Sequence, residues 1–250
     1  MKILICGKGG SGKSTVSVLT ARALKKIGYS VLLVDADESN FGLHRLLGIP
    51  QPLLLMDSFG GKKGFKEKTA NTFPKGSSGG LFNQKWRISD IPKDCIASSD
   101  GIALLAVGKI HDFGEGCACP IGSLSRMFLS NLEIGEKDAV VIDTEAGVEH
   151  FGRRIDAECD VILDVVDPSF ESFLLAKKIQ EMGQKAGAKV FFVLNKVDEQ
   201  VEKIMSEQVD PARVFATIPK DNAVFTASLE GKKLTADFPE IADACRKICR

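Results

Sequence analysis

The sequence predicts an α/β fold: a mostly parallel, doubly wound sheet with helices on both faces, forming a single domain over residues 1–250. Three observations carry this expectation. A strand, a glycine loop and a helix follow one another at the N-terminus; later strands are continuous apolar runs rather than alternating ones; and helical patterns separate them. Lys2 to Cys6 (KILIC) is the first run, followed by the loop Gly7 to Lys13 and a helical pattern from Ser14 to Ile27 that Gly28 stops. Ser30 to Val34 (SVLLV) ends in Asp35, as expected of a strand covered on both faces. The same grammar returns at Ile102 to Val107, Ala139 to Ile142, Val161 to Val166, Val190 to Leu194 and Val214 to Ile218, with a helix predicted over Ser169 to Ala186. Between Pro50 and Asp100 the pattern weakens. Glycine, lysine and serine crowd Ser58 to Gly64 and Gly76 to Gly80, and this stretch is expected to be an irregular, partly mobile insertion.

With 44% hydrophobic and 26% charged residues in 250, the chain has material for a substantial core and the composition of neither a disordered segment nor a repeat array. Thirty-three basic residues balance thirty-three acidic ones, so the overall field gives no reason to expect nucleic acid as a partner. No apolar stretch approaches the ~20 residues that cross a bilayer, so no membrane partner is expected from this source. The run Met1 to Cys6 is too short for a signal-peptide core, and seven cysteines without such a signal predict a reducing, cytoplasmic setting.

Gly7-Lys8-Gly9-Gly10-Ser11-Gly12-Lys13-Ser14 satisfies the eight-residue Walker A pattern between a predicted strand and a predicted helix, the context of a P-loop NTPase. The glycines let backbone N–H groups face the phosphates, Lys13 reaches the β and γ oxygens, and Ser14 offers a hydroxyl to magnesium. Asp35 and Asp37 end the second strand, at the edge where open α/β sheets bind ligands, and carboxylates there can hold the magnesium shell and orient attacking water. Asp37 is the catalytic candidate; the other use for an acid there, capping a helix over Phe41 to Leu47, suits Asn40 better. The strand Ala139 to Ile142 delivers Asp143, a Walker B-like acid placed to contact magnesium through water. Asn195-Lys196-Val197-Asp198 has the spelling of the guanine-reading motif of GTPases, so the motif alone leaves ATP and GTP open.

The motif GKGGSGKST, Gly7 to Thr15, resembles the deviant Walker A ATPases, a group that includes the nitrogenase iron protein, the MinD and ParA partitioning proteins and the arsenite-pump ATPase. The resemblance implies that Lys8 crosses a dimer interface to the partner's nucleotide, and that the active unit is a homodimer with ATP between its halves. It implies a switch I acid at Asp37, twenty-four positions after Lys13, and a switch II at Asp143 to Glu149, where an amide near Gly147 senses the γ-phosphate. Glu145 departs from the small or proline residue of MinD-like proteins. Ile218-Pro219-Lys220-Asp221-Asn222 through Ala227-Ser228 resembles the adenine-side loop of that group. Pro219 and Asp221 thereby join Asn195 and Lys196 as candidate base-side residues, and the likeness favours ATP/ADP with Mg2+.

Cys117-Ala118-Cys119-Pro120 precedes a helix expected near Ser123, in a loop made flexible by Gly114 and Gly116. Two thiols one residue apart are poorly placed to bridge each other, yet both can turn toward one soft metal ion, and a twofold dimer would complete a Cys₄ site of the kind zinc accepts and nickel can enter. A pair of ordinary reduced cysteines is the plainer reading of the same spacing. Together with the deviant P-loop and Ala146-Gly147-Val148-Glu149-His150-Phe151-Gly152-Arg153, the pair resembles the CooC-type accessory proteins of carbon monoxide dehydrogenase. That likeness implies an ATP-dependent metallochaperone whose client is a carbon monoxide dehydrogenase or acetyl-CoA synthase complex, with nickel or zinc held by Cys117 and Cys119 across the homodimer. Cys6 and Cys159 read as core residues, and Phe238, Ile241, Cys245 and Ile248 as one apolar helix face. Two other functions compete: a positioning ATPase acting on membrane or DNA, through the lysines at 62, 63, 66 and 68 or the terminal helix, and an electron-transfer ATPase with a bridging iron–sulfur cluster.

Overall fold

The computed structural model describes residues 1–70, 82, 84–110 and 117–249. The glycine-rich stretch at 76–80 and the loop glycines Gly114 and Gly116 lie outside the described residues. Strands β1 (Lys2–Gly7), β2 (Ser30–Asp35), β3 (Ile96–Ser99), β4 (Ile102–Ala106), β5 (Asp138–Asp143), β6 (Val161–Val166), β7 (Lys189–Val197) and β8 (Val214–Pro219) form one sheet in the order β3-β4-β2-β5-β1-β6-β7-β8. Every pairing is parallel except that of β3 with β4. Helices α1 (Lys13–Lys26), α2 (Leu43–Leu47), α3 (Leu55–Ser58), α4 (Gly61–Ala70), α5 (Cys119–Asn131), α6 (Glu149–Gly152), α7 (Phe170–Ala186), α8 (Glu199–Gln208), α9 (Asn222–Glu230) and α10 (Pro239–Ile248) connect and cover the strands.

The period-2 geometry of the strands sorts their side chains between two apolar layers. Leu4, Cys6, Leu32, Val34, Val140 and Ile142 join residues of α5 and α7 on one face, while Ile3, Ile5, Val31, Leu33, Val141 and Val165 join α1, α2 and α10 on the other. Both layers are fully dry at these positions, which is why the strands read as continuous apolar runs. Helix α1 ends in a Schellman motif: the Gly28 N–H donates to Lys25 O at 3.0 Å and the Tyr29 N–H to Leu24 O at 3.1 Å. The apolar face of α10 is likewise consumed internally. Phe238, Ile241 and Cys245 are buried in the layer that contains α1, and half-buried Ile248 packs against it. Among the described residues no helix is long and apolar enough to cross a bilayer.

The stretch expected to be irregular holds more regular structure than its composition suggested. Lysines 62, 63, 66 and 68 lie on α4, whose Phe65 is buried, and β3 adds an antiparallel edge strand that the apolar pattern of Ile96–Ser99 was too short to announce. Leu54, Leu55, Met56 and Phe82 are buried too, and Phe82, Trp86 and Phe128 of α5 form an aromatic cluster with ring centroids 4.8 to 6.5 Å apart. Local composition hid this because the apolar anchors are spaced widely between polar residues that remain outside. Phe128 has no exposed surface. Truncation by Phe128→Ala should therefore cost about 3–5 kcal/mol of folding stability, read as a lower urea midpoint at unchanged slope.

Candidate functional site

The loop between β1 and α1 lies over the C-terminal edge of the sheet's centre, where β1 is flanked by β5 and β6. Gly7 has φ +137°, and a Cβ there would come within 2.5 Å of Val165 O; Gly12 has φ +102°, and a Cβ there would sit 2.3 Å from Asn195 Nδ2. Only glycine satisfies both the backbone and the space at these positions. The loop is pinned from β7: Asn195 Nδ2 donates to Ser11 O at 2.7 Å, and Lys196, itself at φ +61°, donates through Nζ to Gly10 O at 2.6 Å. Asp198, the fourth residue of the guanine-like motif, caps α8 by accepting from the Gln200 and Val201 N–H groups.

Gly9, Gly10, Gly12, Lys13, Ser14, Thr15 and Asp37 line a cavity of about 470 Å³ with Ser39, Asn40, Arg45 and Ala146. Lys13 is buried and donates to Lys8 O at 3.3 Å. Asp143 accepts from Ser14 Oγ at 2.7 Å and from Ser17 Oγ at 2.9 Å, while Asn40 Nδ2 donates to Ser14 Oγ at 2.7 Å. Ser11 Oγ is buried without a partner among the described residues. The donor set fits a magnesium-bound nucleotide: the Ser14 hydroxyl would ligate the ion, and Asp143 and Asp37 would hold its water shell. When bound, magnesium neutralises phosphate charge as it develops. Asp37 accepts from the Ser39 N–H and Oγ at 2.8 and 2.7 Å, a local turn that holds the carboxylate at the cavity wall. Helix α2 starts only after Gly42, whose N–H donates to Asn40 Oδ1 at 2.8 Å.

Asp35 does not join this group. Its Oδ2 accepts from buried Lys109 Nζ at 2.8 Å, and burial, opposed by Lys109, raises its carboxyl to about 7. The expectation that Asp35 helps hold magnesium is thereby corrected: its side chain belongs to an internal ion pair. Burial also raises Asp143 to about 6, with Ser14 and Ser17 pulling it down. Switch II is tied to the loop in this conformation, since the Gly147 N–H donates to Gly7 O at 3.1 Å instead of facing the cavity. Glu145, whose role was left open by the sequence, shares Arg153 with Glu38, and His150 is fully buried against Phe151, its imidazole lowered to about 3 by burial. Lys8 pairs with Asp167 at 3.6 Å, its side chain one third exposed. Pro219 ends β8, and Asp221 caps α9 by accepting from the Val224 N–H at 2.8 Å; from that segment Ser228 and Gly231 reach the cavity.

Cys117 and Cys119 are exposed, with their sulfurs in contact and their Cα atoms 5.4 Å apart. The helical turn at Ala118 brings both sulfurs to one side, and the Cys119 N–H donates to Cys117 Sγ at 3.1 Å. Helix α5 accordingly begins at Cys119, four residues before the expected start. Among the described residues no group of three or more His, Cys, Asp or Glu converges to hold a metal within one chain. Cys6, Cys159 and Cys245 are buried, as their apolar surroundings indicated.

Sequence reasoning missed Lys109, Arg153, Glu38 and Asp164. The partners of the first three are 8 to 115 residues away, and Asp164 Oδ2 has none among the described residues, so no local spacing marks them. Asp164 is buried in β6 with Oδ2 unpartnered, and burial, against the pull of Lys13, raises its carboxyl to about 8. A raised carboxyl stabilises the fold below its unfolded value, about pH 4, and loses that contribution as pH climbs through about 8. The thermal midpoint of ligand-free Asp164→Asn, relative to the parent chain, is thus expected to rise progressively between pH 4 and 8; a pH-independent difference would contradict the assignment.

Residues 2–234 match the family described as the CobQ/CobB/MinD/ParA nucleotide binding domain. An uncharacterized ATP-binding protein of Methanocaldococcus jannaschii is 46% identical over 97% of both chains. The carbon monoxide dehydrogenase accessory protein CooC of Rhodospirillum rubrum is 32% identical over 98% of this chain and 92% of its own. In architecture, the septum site-determining protein MinD of Pyrococcus horikoshii, solved with Mg-ADP, superposes with a TM-score of 0.67 at 19% identity, covering 99% of this chain and 93% of that one. With a phosphate loop locked by β7 and Asp143 joined to Ser14 beneath it, this chain belongs to the CobQ/CobB/MinD/ParA family and is a P-loop ATPase.

Proposed function

We propose that the protein is an ATP-hydrolysing metallochaperone that closes as a homodimer around nucleotide, carries nickel or zinc between Cys117 and Cys119 of its two halves, and delivers the metal to a carbon monoxide dehydrogenase or acetyl-CoA synthase complex. The observation that carries this reading is the placement of the cysteine pair. Both sulfurs are exposed and turned to one side at the start of α5, whose first turn packs at Ile121 against Gly108, just past the C-terminal end of β4, on the sheet edge that also bears the phosphate loop. In the reduced form two thiolates are two short of a tetrahedral set, and a twofold axis supplies the missing pair. The likeness to an accessory protein of carbon monoxide dehydrogenase supports the choice of client.

Dimerisation has its own support. Phe170 and Leu174 on α7, and Phe225 and Leu229 on α9, are 52 to 73% exposed on helices that follow β6 and β8 from the same edge. Lys8 is partly exposed there and pairs with Asp167, which a nucleotide phosphate across the interface could replace. Within each half Lys13 and the loop amides would bind the phosphates, Ser14 and Asp143 would position the magnesium, and Asp37 would orient the attacking water. Adenine rather than guanine is favoured because Asp198, the guanine-reading position, is engaged in capping α8.

Metal content and oligomeric state measured on one reduced sample, with and without a nonhydrolysable ATP analogue, test the proposal. About one nickel or zinc per dimer is expected, lost in the double variant Cys117→Ser/Cys119→Ser; undiminished metal in that variant rules the site out. Asp37→Asn should slow ATP hydrolysis by about 10²-fold or more while retaining nucleotide-dependent dimerisation, as measured by phosphate release and light scattering.

A further inference from the structure

Arg153 lies where three parts of the molecule meet. Its guanidinium forks between two carboxylates, with Nη2 3.2 Å from Glu38 Oε1 and Nη1 bonded to Glu145 Oε2. Glu38 directly follows Asp37, and Glu145 stands two residues after Asp143, so each acid extends from a segment that borders the nucleotide cavity. The shaft of the same side chain crosses the first turn of α5. A Cβ on Gly122 would come within 2.4 Å of Arg153 Cδ and 3.0 Å of Nε, so the arginine lies directly on the helix backbone there. That turn is tied in its own right to the cysteine pair: the Ile121 and Gly122 N–H groups donate to Ala118 O at 2.9 and 3.2 Å, and Ala118 is the residue between Cys117 and Cys119.

We propose that Arg153 is a positioning residue that transmits the occupancy of the nucleotide site to the first turn of α5, and through it to the geometry of Cys117 and Cys119. The final link rests on the metal-site reading above. The two acids make the contact sensitive to small movements. Glu38 and Glu145 converge on one guanidinium, so a shift of either acid changes the geometry of the fork. Displacement of either the Asp37–Glu38 or the Asp143–Glu145 segment as phosphates enter the cavity breaks the fork on one side, and the arginine must then slide against α5. Gly122 is what permits a bulky side chain to bear on backbone rather than on another flexible side chain, which would absorb the motion. Because coupling between sites is reciprocal, metal on the cysteine pair must change nucleotide affinity by the same factor that nucleotide changes metal affinity.

The chain contains its own reporter. Trp86 is its single tryptophan; its ring lies 6.4 Å from that of Phe128 on α5, and its backbone N–H donates to Asn131 O at 2.9 Å at the end of that helix. Trp86 emission and zinc affinity are measured with magnesium and either ADP or a nonhydrolysable ATP analogue. In the parent chain the analogue should shift Trp86 emission relative to ADP and change zinc affinity by about tenfold, within the usual range of coupling. Arg153→Gln should bring both differences close to zero while each nucleotide binds within about twofold of normal, and Arg153→Lys, which keeps the charge but not the fork, should restore them in part. Gly122→Ala, which pushes the arginine off the helix, should reproduce the loss and decides the matter if Arg153→Gln does not fold. A Trp86 response that survives in these variants, or that is absent from the parent chain, overturns the role of Arg153. Failure of the parent chain to bind zinc overturns the metal reading instead, and the Trp86 response still judges Arg153.

Discussion

The shape of the phosphate loop depends on a neighbouring strand. Successive loop N–H groups can face an anion only if the backbone enters left-handed conformations, and a free glycine-rich segment loses a large conformational entropy on adopting them. Here Asn195 and Lys196 of β7 hold the carbonyls of Ser11 and Gly10, and Val165 of β6 closes on Gly7. The protein's own contacts therefore hold the loop in shape, with Lys13, Ser14 and Thr15 on the cavity wall. Everything else at the site is arranged around that fixed loop.

Below the loop, charge is buried at the ends of adjacent strands. Asp35, Asp143 and Asp164 end or occupy β2, β5 and β6, and burial raises all three carboxyls. Their satisfaction differs. Asp35 has an internal cation, Asp143 has two hydroxyl donors, and Asp164 has one oxygen without a partner. Such an arrangement costs stability in the free protein. For Asp143 the cost falls on the acid proposed above to position magnesium. For Asp164 the attraction of Lys13 opposes burial, and Oδ2 has no hydrogen-bond partner among the described residues.

The two switch segments are not independent in this conformation. Gly147 is hydrogen-bonded to Gly7, Glu38 and Glu145 meet on Arg153, and Ile110 donates its N–H to Glu38 O at 3.1 Å. Nucleotide-dependent motion must therefore exchange these contacts as a set, and the elements packed on them, α5 above all, receive the change. This links a phosphate site at the sheet centre to a cysteine pair beyond β4 without requiring the sheet itself to deform.

By itself, the sequence determined the parallel core and the phosphate loop. Continuous apolar runs, the Gly7 to Ser14 motif and the helical patterns are local signals of period, length and glycine placement, and β1, β2, β4 to β8, α1 and α7 appear where those signals lie. Tertiary structure alone decided which acids reach the cavity. Asp35 and Asp37 are two residues apart on one chain, yet Lys109, seventy-four positions from Asp35, draws one carboxylate inside and leaves the other at the wall. The same holds for Asp198, turned into a helix cap, for the cysteine pair brought together by the turn at Ala118, and for the regular structure within 55–70 and 96–99. In each case the deciding partner is distant in sequence or the deciding geometry is a backbone turn, and a one-dimensional pattern carries neither.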